Sequence, residues 1–338
     1  MSKSPTYPNE QQPATAGGST HASDGILFGA GGLRAGWGVL FYIVLLFLAM
    51  SVQSVLVKAV GASLHPGSHV VTRRMTLWND GTGAIAILLV TAILARLEGR
   101  SVTSYGLDSR LGARRLPIGF SWGILALSVL VLLLATLGLL RFDGRLLRSG
   151  AALCSGVLWA GAFLLVAFFE EVMLRGYLLF TLTRGLKAIL SFFFNTSRNE
   201  ALGFWAAAGL LSVLFAAFHH GNPGESPVGL LCAMGAGLVF CFSVWRTGSL
   251  WWAIGFHAGW DWAQSFLYGV ADSGIVSAGR LLAAHAEGRP TLSGGLTGPE
   301  GSVFALPVLA LVASVLVWTQ PRRTTALQAS TEDGWRSR

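Results

Sequence analysis

Charged residues are scarce in this chain of 338 residues: Asp, Glu, Lys and Arg together make up only 12% of it. A soluble domain carries about a quarter, so this composition excludes an ordinary water-soluble globule. Cysteine is also rare. Cys154, Cys232 and Cys241 each fall in an apolar run and share no paired spacing, which excludes a disulfide framework and a zinc finger. The net charge is +8, but no basic helix and no alternation of basic and aromatic residues accompanies it. A nucleic-acid partner is therefore not expected. The first apolar run has no small-residue cleavage site behind it. Residues 1–36, rich in Ser, Thr, Pro and Gly, are expected to be a disordered cytoplasmic tail and not a signal peptide.

What the chain has in quantity is apolar sequence: 53% of it is hydrophobic. A helix needs about 20 residues to cross a bilayer. Runs near that length recur at 37–57, 81–97, 116–140, 151–169 (extendable to 182), 204–219, 228–244, 250–267 and 303–318. The expected fold is all-α: a polytopic membrane protein with about eight transmembrane helices over residues 37–320, followed by a cytoplasmic tail at 321–338. Eight spans put both termini on one side. Basic residues on that side (Lys3, Arg34, the cluster from Arg96 to Arg115, Arg184, Lys187, Arg198, Arg246 and the C-terminal arginines) outnumber those on the other. The bias predicts a multi-pass protein of the cell membrane with both termini in the cytoplasm.

Charges inside membrane helices are costly, about 2.5–3.5 kcal/mol each at a helix centre on insertion scales. Here Glu170, Glu171, Arg175, His219, His220, His257 and Asp261 all lie in or at the ends of apolar runs between positions 170 and 261. The first three runs hold nothing comparable in their interiors. Three short stretches carry the set. In FFEEVMLRG, Glu171 and Arg175 stand at i and i+4, with the acid first, the favourable order for an ion pair within one helix. Glu170 points about 100° away and has no cation on its own face. It must find a partner on another helix or use its carboxylate for chemistry. In LFAAFHHGNPGE, Phe215 and His219 share a face just before Gly221, Asn222 and Pro223 break the helix. In GFHAGWDWAQ, His257 and Asp261 converge at i and i+4, while Ala258 and Gly259 permit close helix approach. Glu170, His219, His257 and Asp261 thus supply two carboxylates and two imidazoles from three helices. Such a set can hold a divalent metal with an open position, or activate water without one.

These stretches resemble the CPBP (CAAX-processing and bacteriocin-processing, or Abi) family of intramembrane proteases, the type II CAAX prenyl endopeptidases. EEVMLR is similar to the family's E-E-x-x-x-R, FAAFH to its F-x-x-x-H, and HAGWD to its H-x-x-x-N/D in the Asp form. Their order and separation also agree, over a core of about residues 150–265. The resemblance implies an intramembrane active-site cavity. It further implies that Glu170 and His219 activate the attacking water, that His257 and Asp261 stabilise the oxyanion or complete a metal site, and that Glu171 and Arg175 are supports. The implied partners are membrane lipids and a membrane-associated or lipidated protein substrate. The implied cofactor, if one is used, is a divalent metal such as zinc.

Two other readings of the polar cluster stand beside this one: a non-catalytic membrane scaffold or immunity protein, and a transporter. A scaffold would not need every member of the set, and no inverted repeat supports a transporter. Residues 271–302, rich in glycine, are expected to form an exposed loop, with a lid over the site as the alternative.

Overall fold

Polar capping residues set where several of the apolar helices begin. In the computed structural model, which describes residues 25–29, 32–63, 68–194 and 196–320, Thr72 accepts from the Met75 amide to start α2 (Arg73–Leu97). Asp108 accepts from Arg110 to start α3 (Ser109–Thr136). Each cap satisfies an amide that the first helical turn leaves without a partner. Before them comes α1 (Ala35–Ala59). After them come α4 (Ser149–Arg175), α5 (Tyr177–Phe193) and α6 (Asn199–His219). Ser226 caps α7 (Pro227–Thr247), which has proline in its first turn and ends at Gly248 in the left-handed region. α8 (Trp251–Asp261) runs directly into a π-helical segment, Trp262–Tyr268. The short α9 (Pro290–Ser293) and α10 (Ala305–Thr319) complete the helices.

Among the described residues, six helical stretches are long and apolar enough to cross a membrane: α1, α2, α3 with the 3₁₀ turn before it, α4 with α5, α6, and α7. The other two expected spans are shorter. α8 has 11 residues before its π-helical continuation, and α10 has 15. The fold is all-α and polytopic. The fourth run does not continue to 182 as one helix. The chain turns at Gly176, where an added Cβ would meet the Val172 carbonyl, and α5 leaves at a new angle to pack along α6.

α3 and α8 pack more intimately than any other pair. Gly119 and Gly123 of α3 face the backbone of Trp252 and Phe256, and Gly255 and Gly259 of α8 face the backbone of Leu116 and Phe120. Each helix thus presents a small-xxx-small pair to the other, which lets the backbones touch.

Two faces of the bundle differ. On one, four connections interlock. β3 (Val70–Val71) pairs in parallel with β5 (Val276–Ser277), and β4 (Leu140–Arg145) pairs antiparallel with β6 (Leu282–Ala286). Thr297 donates to the carbonyl of Gly224 in the α6–α7 turn. Residues 271–302 are therefore an ordered cap and not the exposed loop expected: Ser277, Ser293, Thr297 and Ser302 are buried. Strand pairing with distant connections satisfies backbone groups that the composition alone would assign to water.

On the opposite face, the buried Glu98 gathers Tyr177 (2.7 Å), both terminal nitrogens of Arg184 (2.9 Å each), Tyr105 (3.1 Å) and Arg100 (3.4 Å). Burial pushes this carboxyl up, but the Arg184 hydrogen bonds hold it below the usual carboxylate range. Arg184 also donates to the carbonyl of Leu33 in β2 (Gly32–Leu33), which pairs with β1 (Phe28–Gly29). This small hairpin occupies the end of the segment expected as a tail. Residues 1–24, 30–31 and all of 321–338, with Lys3 and the C-terminal arginines, lie outside the described residues.

Candidate active site

The C-terminal part of α4 fixes the two glutamates in different surroundings. Glu171 is fully buried and Arg175 donates to its Oε1 at 3.0 Å. Glu170, one residue earlier, keeps 27% of its side chain accessible and lines a cavity of about 670 Å³. His219 ends α6. Its Nδ1–H donates to the Phe215 carbonyl at 2.8 Å, which leaves Nε2 for the cavity that the residue lines. His257 and Asp261 come from α8, held by its glycine contacts with α3, and line the same cavity. The structure therefore brings Glu170, His219, His257 and Asp261 together from three helices and leaves Glu171 and Arg175 behind them. His220 is exposed and is not part of the cavity wall.

Both ring nitrogens of His257 face carboxylates. Nδ1–H donates to Glu171 Oε1 at 3.1 Å; Nε2 lies 3.5 Å from Asp261 and 3.8 Å from Glu170. Glu171 thus has a task that sequence spacing did not reveal: it orients a histidine on another helix. Two phenylalanines finish the arrangement. The Arg175 guanidinium lies 4.4 Å over Phe215 and 5.3 Å from Phe240. Phe215 packs on His219 with centroids 4.6 Å apart, and Phe240 stacks on His257 at 5.1 Å and 19°. Each imidazole is held against an aromatic ring that the same cation covers.

Among the described residues, no three His, Cys, Asp or Glu side chains are grouped to hold a metal ion. The donor arrangement agrees with that: three carboxylates converge on one imidazole, where a metal site would spread its ligands around an ion. These residues do not fit a metal as they stand, and no step below passes through one.

Sequence reading missed four acids in the cavity wall: Asp80, Glu225, Asp272 and Glu300. Asp80 lies well inside α2, because that helix begins at Arg73, eight residues before the apolar run at 81. It accepts from Asn79, whose own side-chain oxygen accepts from Gln53 on α1. Asp272 and Glu300 belong to the cap. Ser265 donates to Asp272 at 2.8 Å, and the backbone and hydroxyl of Ser273 donate to Glu300 at 2.7 and 3.0 Å. Burial, reinforced by nearby Asp261 and by Glu300, pushes the Asp272 carboxyl well above its usual range. Burial also raises Glu300, although His219 and the Ser273 hydrogen bonds pull the other way. For the two cap acids the available signal was the segment 271–302, which carries Asp272, Glu287 and Glu300.

Residues 152–263 match the family model described as type II CAAX prenyl endopeptidase Rce1-like. The match runs from the start of α4 to the residues just after Asp261, so it takes in all three motifs. It bears out the resemblance and indicates a membrane protease of the CAAX type in general. No curated protein and no solved structure matches the chain.

Proposed function

From the match of residues 152–263 to the type II CAAX prenyl endopeptidase Rce1-like family model, we propose that the protein is an intramembrane endopeptidase. It hydrolyses a peptide bond of a membrane-associated or lipidated protein with water activated by Glu170 and His219. One observation carries this reading: Glu170, His219, His257 and Asp261 line one cavity, while the adjacent Glu171 is turned out of it to hold Arg175 and His257.

The roles follow from what each group can donate or accept. His219 gives Nδ1–H to the Phe215 carbonyl, so its Nε2 can accept a hydrogen bond from water. Glu170 takes the proton as that water attacks the scissile carbonyl carbon, and returns it to the departing amine. His257 in its doubly protonated form donates from Nε2 to the developing oxyanion while Glu171 fixes Nδ1. Asp261, one turn along, holds the Nε2 side of the ring in place.

The cavity sits among helices that cross the bilayer, so a soluble peptide would have to leave water to reach it. A lipid or transmembrane anchor already places its substrate at that depth. The test reconstitutes the protein in liposomes and offers one peptide with and without its anchor, with Glu170→Gln as the blank. The expected result is cleavage of the anchored peptide that falls by about 100-fold or more in Glu170→Gln. Glu170-independent cleavage would remove the proposed mechanism. Equal Glu170-dependent cleavage of both peptides would remove the anchor requirement.

A further inference from the structure

The cavity has two unlike walls. α1, α2 and α4 supply a wall with an apolar stretch, Val57, Met75, Phe163, Val166 and Phe169, beside Lys58, Asp80 and Glu170. The cap and the entrance to α7 supply the other, with Glu225, Asp272 and Glu300. Around the whole cavity stand six carboxylates, against Lys58 and the two active-site histidines. That concentration is unusual in a chain with 16 acids and a net charge of +8.

The acids on the cap side are held by neutral hydrogen-bond donors. Glu225 accepts from the Ser226 amide, Asp272 from the Ser265 hydroxyl, and Glu300 from Ser273. Among the described residues, none of the three has an ion-pair partner. Carboxylates taken out of water without a cation are costly to keep. Asp261 and His219, which the proposed chemistry uses, border this wall: Asp261 raises Asp272, and His219 acts on Glu300. A peptide seated on the catalytic groups must therefore lie against these acids.

We infer that the cap wall is a specificity pocket for a cationic side chain of the substrate, a lysine or arginine near the scissile bond, with Asp272 and Glu300 as its principal determinants. This rests on the peptidase reading and adds the chemistry of the substrate to it. The apolar wall takes the anchor or the apolar residues; the cap wall takes the cation on the other side of the catalytic groups. A cation arriving there meets carboxyls whose ionisation burial disfavours, and it supplies the charge that offsets that burial.

The test is a binding measurement, so it does not depend on turnover. The full chain in nanodiscs, carrying Glu170→Gln in every arm to stop cleavage, is titrated into fluorescent lipidated peptides. The peptides are identical except for one position, scanned along the sequence, that is either lysine or glutamine. At some position the lysine form should bind about tenfold more tightly at low salt. Asp272→Asn together with Glu300→Gln should reduce that preference to about twofold or less, whereas Asp143→Asn, on the exposed β4 strand, should leave it intact. Equal binding of lysine and glutamine forms at every position would overturn the inference, as would a preference that survives the double substitution. A lysine preference without cleavage in the unsubstituted protein would keep the pocket and count against the peptidase reading. Cleavage without the preference would do the reverse.

Discussion

Oε1 of Glu171 is shared: Arg175 reaches it at 3.0 Å from its own helix, and His257 reaches it at 3.1 Å from α8. A single buried oxygen thus joins the charge balance of α4 to the orientation of an imidazole that lines the cavity. The neighbouring Glu170 has no such duty. Glu170→Gln should abolish activity with yield and thermal stability close to the parent. Glu171→Gln should lower both, because breaking a buried pair by removing one partner costs about 3–5 kcal/mol. Thermal unfolding in detergent measures the difference, and equal melting temperatures for the two variants would refute the division of roles.

Asp261→Asn replaces an oxygen that can only accept, when ionised, with an amide that can also donate. If the residue positions His257 and the oxyanion by hydrogen bonding, the amide should retain a substantial part of the activity. Strong chelators should leave the parent enzyme active, in keeping with the absence of a metal-holding group among the described residues. Metal analysis beside the assay decides the matter: activity lost in step with bound metal, in the variant or on chelation, would replace the hydrogen-bonding role with a metal-binding one.

The glycine seam between α3 and α8 should be a sensitive structural element. A side chain at Gly123 would strike the Phe256 carbonyl, and one at Gly259 would strike that of Phe120. Overpacking of this kind costs about 1–3 kcal/mol, and it would move the helix that carries His257 and Asp261. Gly123→Ala and Gly259→Ala should each lose more activity than stability. Gly209→Ala in α6, where an added Cβ meets nothing within 4 Å, is the control and should change little.

Stability should depend on pH through the cap. A carboxyl raised by burial contributes fully while it is protonated in both states, below its unfolded value near 4, and the contribution is lost as pH rises through its folded value. Asp272 and Glu300 are both raised. Thermal stability should therefore decline as pH rises above the ordinary carboxylate range, and Asp272→Asn should flatten the decline. A parent and a variant with parallel profiles would count against a protonated Asp272.

Orientation can be read by cysteine labelling in intact cells, after the native cysteines are changed to alanine. We propose that the termini are cytoplasmic, which places the cap on the outer side. A cysteine at Arg289, exposed on the cap, should react with an impermeant thiol reagent, and one at Ser197, exposed at the opposite face, should not. The reverse pattern would put the cap in the cytoplasm.

Much of this architecture was legible in the residues because its causes are local. Hydropathy marks a helix wherever about 20 apolar residues run together, and the i, i+4 spacing of Glu171 with Arg175 and of His257 with Asp261 reports a shared face directly. What could not be read depends on contacts distant in sequence. The bond from Glu171 to His257 spans 86 residues. The two-residue pairing of Val70–Val71 with Val276–Ser277 has no alternation long enough to announce a strand. Asp80 escaped because Arg73, Arg74 and Asn79 give the start of α2 a polar composition, although it is helical from Arg73. The turn at Gly176 escaped because apolar residues continue on both sides of it.

The placement of Arg175 one turn beyond Glu171 also bears on how the chain is made. The two charges belong to the same helix, so α4 can enter the bilayer during synthesis with Glu171 already matched, before any later helix exists. Glu170 and His257 have no such arrangement: the first waits for α8, more than eighty residues downstream, and the second is added to a pair already formed. The helix that carries the proposed base thus has one of its two acids matched at the stage when it is alone. Arg175→Gln should therefore impair insertion of an isolated α4 reporter segment, well before activity can be assayed.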